Sequence, residues 1–448
     1  FITSTKTMTG PMNVQSGYCT VTTAGGNLTL GAGSQVQSGA VFQAGNNATV
    51  SGGANLTVQP GGEVQIFGAN TWMGTPTYSA TAPRGTLSYY VGAVTTGPEL
   101  PSPTMNGNLL IANGANITLG ATTQINGSLT MSAMPGAPTL TVSSPNVLTL
   151  ANAVNTIANT ATLNVQAPAG ELRITGAGNL TNNSTNLNID GILTLDGTGV
   201  YNAASTNSPS YTGTGTLRYT GTNPSFTTGL EFPSSPASIA RFEVNRAVAT
   251  NTVILQNGKI ITSNSVITQG VLQTAPVGVS LNHTLSGNIS VGANGRLRIQ
   301  ENSTIAGPGA VTYSAASSTL EYAGTILKAV TGLELPSPFG GSILLNNSGG
   351  VQAPAALVDM NVASSTFTMI NGIWKIPAGG HLQLRAGVGY IGGGAASYIE
   401  TTPSANGNDA KITRTLNTAA NWHLGSGGVY RLVATGMPSI TTDISLGY

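Results

Sequence analysis

The amino-acid sequence predicts an all-β chain, a parallel β-helix or β-solenoid of short strands, on three observations. Segments of three to five residues alternate apolar and polar side chains, as in NLTLGAGSQVQSGAVFQAG from Asn27. Gly and Asn, which tolerate the positive φ of tight corners, end most of these segments. No sustained helical spacing of apolar residues occurs. The short spacing favours stacked coils over a sandwich or barrel, the alternative that such turns also allow.

The spacing of apolar residues sets the size of one coil. Phe42, Val50, Val58 and Ile66 stand eight residues apart. Three strands with their corners then make a coil of about 20–25 residues, and the chain makes roughly 18–22 coils that stack about 4.8 Å apart. Alternate side chains point inward, so stacking buries a continuous interior that no single coil could bury.

One phrase occurs three times along the chain. TGPELPSP, TGLEFPSS and TGLELPSP each place a glutamate between apolar residues, and each follows a short strand with the pattern Leu-x-Tyr. The glutamates are Glu99, Glu231 and Glu334, and the tyrosines are Tyr89, Tyr219 and Tyr322. The repetition indicates either a triplicated site or an equivalent corner of a repeated scaffold.

The repeats predict a division of the chain into five segments. These are an N-terminal β-solenoid over 1–80, repeat modules over 81–210, 211–313 and 314–390, and a less regular β-rich C-terminal cap or assembly module over 391–448. The last segment is less periodic and richer in charged and large residues. Such a module would cover the unpaired strand edges of the last coil.

Composition excludes several classes of partner. Charged residues make up 6% of the chain and the formal net charge is +1, which argues against a nucleic-acid partner because phosphate binding needs clustered Lys and Arg. No apolar run reaches the ~18–20 residues of a membrane span, so we predict no membrane insertion. The opening FITSTKTMTG and the abundance of Thr, Ser, Asn and Gly indicate a mature exported chain, extracellular or at the cell surface.

Few residues in the sequence suggest catalysis or metal binding. Glycosidases need two carboxylates held close together, but no second carboxylate, His or Arg recurs at a fixed offset from the repeated glutamates. We therefore interpret Glu99, Glu231 and Glu334 as outward corner residues that accept turn amide hydrogens. The three histidines show no metal-ligand spacing. We predict no catalytic residue, no metal and no cofactor, and no enzymatic activity.

Two sets of side chains are candidates for contact with a ligand or another chain. Tyr89, Tyr219 and Tyr322, if exposed, could stack on sugar rings or meet a neighbouring subunit; alternatively they pack against the next coil. The C-terminal segment carries the kinds of residue that commonly anchor interfaces, namely Trp422, His423, Tyr430 and Arg431.

Two long stretches resemble a known group of proteins. GTLRYTGTNPSFTTGLEFPSSPASIARFEVNRA (215–247), followed by VILQNGKIITSNSVITQGVLQT (253–274), resembles secreted surface proteins of Bacteroidota that use the type IX route and carry Gly/Asn/Thr-rich β-solenoids. The ending SYIETTPSANGNDAKITRTL and NWHLGSGGVYRLVATG is similar to the module that often closes such stretches. The resemblance covers most of residues 81–435 and implies an adhesin-like or structural extracellular protein.

Three functions follow as hypotheses. The first is an extracellular structural protein that self-assembles head-to-tail into a surface fibre or sheath, because low charge limits self-repulsion and unlike ends give open filaments. The second is an adhesin that binds glycans or surfaces without polymerising. The third, which the missing acid and base cluster disfavours, is a polysaccharide-acting β-helix enzyme.

Overall fold

The computed structural model describes residues 1–22, 26–133, 136–233, 238–239, 241–262, 264–402, 410–414, 420–426 and 429–435. It confirms the predicted fold class: the chain is nearly all β, with parallel strands stacked as a β-solenoid of about 17 turns. In the described part the only helical turn is the short 3-10 element Gly53–Asn55. No helix within those residues is long and apolar enough to cross a membrane.

The chain forms two compact units. The first comprises Phe1–Arg218 and Gly229–Pro233, and the second comprises Tyr219–Thr228 and Ser234–Tyr448. The five segments expected from the sequence are a finer division than these two units, and that finer division stays a prediction.

The strands of the first unit stand in five columns, and within each column they pair in parallel. In stacking order, the first column is Lys6–Thr7, Asn27–Thr29, Thr49–Ser51 and Thr71–Met73, and the second is Asn13–Val14, Ser34–Val36, Leu56–Val58 and Thr77–Tyr78. The third, with nine strands, is Gly17–Val21, Ala40–Ala44, Glu63–Phe67, Thr86–Val91, Asn108–Ile111, Leu129–Met131, Asn155–Ile157, Asn179–Asn182 and Val200–Tyr201. The fourth is Ala93–Thr95, Asn116–Thr118, Thr139–Val142, Thr162–Val165, Asn186–Ile189 and Ser210–Tyr211, and the fifth is Thr104–Met105, Thr123–Ile125, Val147–Leu150, Glu171–Thr175, Ile192–Asp196 and Thr216–Thr220, whose last two residues belong to the second unit.

The second unit repeats this architecture with longer strands. Its first column is Arg241–Asn245, Ser265–Gln273, Ile289–Gln300, Thr319–Gly324, Ser342–Asn347, Thr366–Asn371 and Gly389–Gly392, and Ser225–Thr227, Thr252–Ile254 and Val311–Tyr313 pair beside it. The second column is Ser238–Ile239, Ile260–Ile261, Asn282–Leu285 and Thr304–Ala306. The third is Lys328–Ala329, Val351–Gln352, Trp374–Ile376, Ile399–Thr401, Ala420–Ser426 and Val429–Thr435, and the fourth is Leu357–Met360, His381–Leu384 and Lys411–Arg414.

The interior consists of apolar side chains stacked in register from coil to coil. Phe42 pairs with Val64, Val64 with Leu87, and Leu87 with Leu109, and all four are buried. The eight-residue spacing of Phe42, Val50, Val58 and Ile66 is confirmed as one coil, because these buried residues lie on three successive columns and return to the first. Full burial of each such side chain stabilises the fold by roughly 1.5–3 kcal/mol.

Corner length explains why there are fewer coils than expected. Leu109 pairs with Leu129, 20 residues further on, but Thr130 pairs with Thr156, 26 residues on. The three strands total 10 residues in the first of these coils and 11 in the second, so the corners absorb nearly all of the difference. Asn47 and Asn113 stand in corners with φ of 60° and 55°, as expected for a residue that tolerates the left-handed region.

The regular parallel stacking ends with a hairpin. Ala420–Ser426 pairs in parallel with Ile399–Thr401 on one side and antiparallel with Val429–Thr435 on the other. This change of direction is the less regular β-rich end that the sequence predicts.

Candidate functional site

The three repeated glutamates lie inside the solenoid, so the expectation that they face outward is wrong. Their exposed fractions are 4%, 1% and 0% for Glu99, Glu231 and Glu334. The expectation that they accept turn amide hydrogens is confirmed, because each carboxylate accepts a backbone N–H of its own turn: from Gly97 at 2.8 Å, from Gly229 at 2.8 Å and from Thr331 at 3.1 Å. Such charge-assisted hydrogen bonds are what allow a carboxylate to be buried.

A tyrosine about one coil earlier holds the main chain of each glutamate. The hydroxyls of Tyr78, Tyr211 and Tyr313 donate to the carbonyl oxygens of Glu99, Glu231 and Glu334 at 3.1, 2.6 and 2.8 Å. Burial, and then the nearby glutamate charge, raises the pKa of these three tyrosines well above its usual value, so they stay neutral donors. The repeated phrases do not include these tyrosines, although each stands 20 or 21 residues before its glutamate.

The tyrosines of the Leu-x-Tyr strands are buried, so the expectation of exposed ligand or subunit contacts is wrong. The exposed fractions of Tyr89, Tyr219 and Tyr322 are 1%, 0% and 0%. The alternative, packing inside the stack, is what the structure has: the ring of Tyr322 lies 5.9 Å from that of Trp374, and Tyr219 lies 5.2 Å from Phe226. The two-residue period of a strand puts Tyr on the same inward face as the Leu two residues before it.

The three corners differ in how the carboxylate is satisfied. Tyr89 donates to Glu99 at 2.9 Å. In the third corner Lys328 lies 3.3 Å from Glu334, with neither side chain exposed, and the Thr331 hydroxyl also donates to Glu334. Burial lowers the pKa of Lys328, and the Glu334 charge opposes this shift. Ala93 and Ser225 occupy the position of Lys328 in the other two phrases, so the ion pair belongs to the third corner alone.

His283 is a structural histidine in the second unit. Its Nδ1 accepts the backbone N–H of Lys259 at 3.3 Å, and its Nε2 lies 2.8 Å from the carbonyl oxygen of Thr274. These partners fix the neutral form with the proton on Nε2. Burial lowers its pKa to about 4. Among the residues that the structure describes, no group of three or more His, Cys, Asp or Glu could hold a metal ion.

A polar cleft of about 670 Å³ lies on the outside of the second unit. It crosses four neighbouring strands, and hydroxyl side chains dominate its wall. Its lining includes Arg296, Thr319, Ser342, Thr366 and Thr368. Arg296 Nη1 donates to Glu321 Oε2 at 3.0 Å, and Arg298 Nε lies 2.9 Å from the same oxygen. Two cations thus share one nearly buried carboxylate, which leaves a net positive charge beside the cleft.

The predicted contacts of the C-terminal segment stay predictions. Trp422 and His423 lie on Ala420–Ser426, and Tyr430 and Arg431 lie on Val429–Thr435. Trp422 pairs with Val433, and Tyr430 with Gly425, in the antiparallel register. The side chains of Trp422, His423, Tyr430 and Arg431 lie outside the described residues.

Comparison with known proteins adds no relative. No family model, curated protein or solved structure matches the chain. Fold and corners together define a class, a repeat protein with a parallel β-solenoid fold whose recurrent glutamates brace its corners from inside.

Proposed function

We propose that the protein is an extracellular structural protein, a β-solenoid that associates with its own copies into a surface fibre or sheath. The observation that carries this proposal is the use of the repeated motif. Glu99, Glu231 and Glu334 were the strongest candidates for chemistry, and each is buried with its oxygens engaged by its own turn or a neighbouring side chain. A motif that recurs to build equivalent corners supports a structural function for the protein.

The surface charge supports association between copies. Charged residues are sparse, and several of them neutralise one another: Arg173 lies 2.8 Å from Glu171, and Arg241 lies 2.7 Å from Glu243. Little long-range repulsion then opposes contact between like chains. Unlike ends would direct such contact head-to-tail, which builds filaments when the rotation does not close.

Negative-stain electron microscopy of the purified chain over a range of concentrations tests the proposal. We expect long filaments of uniform width, and a sedimenting fraction that grows with concentration and persists at high salt. Single particles at every concentration, with a constant sedimentation coefficient, would contradict self-assembly.

A second function, adhesion to an acidic glycan, is favoured by the cleft beside Arg296. An array of hydroxyl groups with a guanidinium at its edge suits a sugar chain that carries carboxylates, because Arg binds carboxylates in a planar, two-point geometry. Binding of the chain to immobilised acidic and neutral polysaccharides tests this. We expect the Arg296→Ala variant to lose binding and Arg241→Ala, on another strand, to keep it. Equal binding by both variants would contradict the role of the cleft.

A further inference from the structure

Glu63, on the outer face of the first unit, has no cationic partner among the described residues. It begins the strand Glu63–Phe67 and stands on an outward, half-buried position. Its Oε1 accepts the hydroxyls of Ser88 at 2.5 Å and Tyr90 at 3.4 Å. Its Oε2 accepts no hydrogen bond from the part of the chain that the structure describes. One oxygen of this carboxylate is therefore available to a further donor.

The lack of a cation distinguishes Glu63 from the other glutamates that face outward on strands. Each of the others within the described residues lies within 4.0 Å of a lysine or arginine. They are Glu171, Glu243, Glu321 and Glu400, which lie 2.8 Å from Arg173, 2.7 Å from Arg241, 3.0 Å from Arg296 and 3.9 Å from Lys375. Outward glutamates of this chain thus pair with cations, whereas the neighbours of Glu63 are hydroxyl groups and aromatic rings.

Two tyrosines flank Glu63 along the stack. Tyr18 stands two coils earlier in the same column, through the pairs Tyr18–Val41 and Val41–Glu63, and is 69% exposed. Tyr90 lies one coil later, and its ring stacks on that of Phe67 with 5.3 Å between the centroids and 11° between the planes. Burial, and then the charge of Glu63, raises the pKa of Tyr90, with a smaller contribution from Tyr18. Tyr90 therefore stays neutral, and the carboxylate is the one charge of this cluster.

A carboxylate flanked by aromatic rings suits an organic cation. The negative face of an aromatic ring attracts a cation that lies within about 6 Å of its centroid. A free carboxylate oxygen accepts strong hydrogen bonds from a charged N–H donor. A metal ion would instead need several oxygen ligands, and the described residues hold no group of three or more His, Cys, Asp or Glu that could supply them. The neighbouring column is uncharged, because Thr20 donates to Gln43 at 2.7 Å and Gln43 to Gln65 at 2.8 Å.

We propose that Glu63, Tyr18 and Tyr90 form a binding site for a primary alkylammonium ion. The N–H groups of the ammonium donate to Glu63 Oε2, and the methylene groups next to the nitrogen pack on the exposed ring of Tyr18. The ligand supplies the positive charge that arginine or lysine supplies at the other outward glutamates. This inference is independent of self-association and of the cleft beside Arg296.

Nuclear magnetic resonance of the full chain with ¹³C-labelled tyrosine rings tests the proposal, with n-butylammonium chloride as the probe. Tyr18→Phe and Tyr90→Phe each remove one signal and so identify the two resonances. We expect both signals to shift and to saturate with n-butylammonium. The uncharged 1-butanol and sodium chloride, each at the same concentration, should leave them in place, because one lacks the charge and the other the N–H groups and the alkyl chain.

Two variants test the parts of the site. Glu63→Gln keeps an acceptor for Ser88 and Tyr90 but removes the charge, so the affinity for n-butylammonium should fall roughly tenfold or more. Tyr18→Leu removes only the exposed ring and should lower the affinity, followed on the Tyr90 signal, roughly threefold.

The matched control is Glu243→Gln. Glu243 is also half-buried and outward-facing, but it lies 2.7 Å from Arg241, so this variant should bind n-butylammonium as the wild-type chain does. A folded wild-type chain without saturable shifts at Tyr18 and Tyr90 overturns the proposal. Equal shifts with 1-butanol would overturn it in favour of a merely apolar patch, and equal affinity of Glu63→Gln and the wild-type chain would exclude the carboxylate as the cation's partner.

Discussion

Lys328 and Glu334 form an ion pair of 3.3 Å in which neither side chain has exposed surface. The pair lies at the third of the repeated corners, where the other two have Ala93 and Ser225 in place of the lysine. Burying both charges costs solvation free energy that their mutual attraction must offset. The corner therefore depends on both partners being present, whereas the first two corners satisfy their glutamates without a lysine at this position.

Removing one partner of this pair should destabilise the second unit strongly. Glu334→Gln leaves the Lys328 ammonium buried without its countercharge, which costs about 3–5 kcal/mol of unfolding free energy. Urea unfolding followed by far-UV circular dichroism measures the change in midpoint.

The control for this prediction is the double variant Lys328→Met with Glu334→Gln. It buries no charge at the corner, so it should recover much of the lost stability. A double variant no more stable than Glu334→Gln alone would show that the carboxylate acts through its turn amide and not through the ion pair.

Two buried tyrosines at the same corner should respond differently to loss of the hydroxyl. Tyr313 donates to the main-chain oxygen of Glu334 at 2.8 Å, so Tyr313→Phe leaves a buried carbonyl without this donor and costs about 1–3 kcal/mol. The Tyr322 hydroxyl has no hydrogen-bond partner among the described residues. Tyr322→Phe should therefore change the unfolding free energy by no more than about 0.5 kcal/mol, or increase it.

Urea midpoints of the two phenylalanine variants, measured side by side, decide this prediction. Each variant is the other's control, because both remove one oxygen from a buried ring of the second unit. Equal destabilisation by the two would mean that the Tyr322 hydroxyl has a partner after all.

The periodic part of the fold could be predicted from the sequence. Inward alternation and the stacking of coils follow from spacings such as that from Phe42 to Val50, because strand geometry fixes which residues share a face. The Leu-x-Tyr pattern also predicts that Tyr89 points inward, because Leu87 and Tyr89, two residues apart in a strand, lie on the same face.

The direction of the glutamates could not be predicted in the same way. Glu99 follows a turn, where the two-residue period no longer applies, and a charged residue before Pro usually faces water. Its burial depends on donors from elsewhere in the chain, the hydroxyls of Tyr78 and Tyr89.

Acid should destabilise the second unit through His283. Its pKa is about 4 when folded, below the usual 6.5, because burial disfavours the charged ring. The unfolded chain therefore binds the proton first as the pH falls. The contribution of His283 to the unfolding free energy is fully present above pH 6.5 and declines between pH 6.5 and about 4. The total loss from this group is at most about 3 kcal/mol.

Urea midpoints at several pH values between 7 and about 4 test this dependence. His283→Gln removes the titrating ring but keeps an amide donor and acceptor, so its midpoint should vary less with pH over the same range. Parallel pH profiles for the wild-type chain and His283→Gln would show that carboxylates, and not His283, cause the acid sensitivity.

Alanine variants of two glycines in the second unit distinguish the cost of backbone strain from the cost of steric overlap. Gly372 and Gly332 have φ of 92° and 100°, a region that side chains disfavour. A Cβ on Gly332 would meet nothing within 4 Å, so Gly332→Ala should cost only the strain, about 1–3 kcal/mol. A Cβ on Gly372 would overlap the carbonyl oxygen of Asn347 in the neighbouring coil.

Gly372→Ala should therefore cost the same strain plus roughly 1–3 kcal/mol for the overlap. The overlap also pushes apart two coils that pair through Asn346 and Asn371. Amide hydrogen exchange of Ser342–Asn347 and Thr366–Asn371 should speed up in Gly372→Ala by more than its loss of global stability explains, and in Gly332→Ala by no more than that loss. If the two variants unfold at the same urea concentration and exchange alike, the close approach of these coils at Gly372 is not what requires a glycine there.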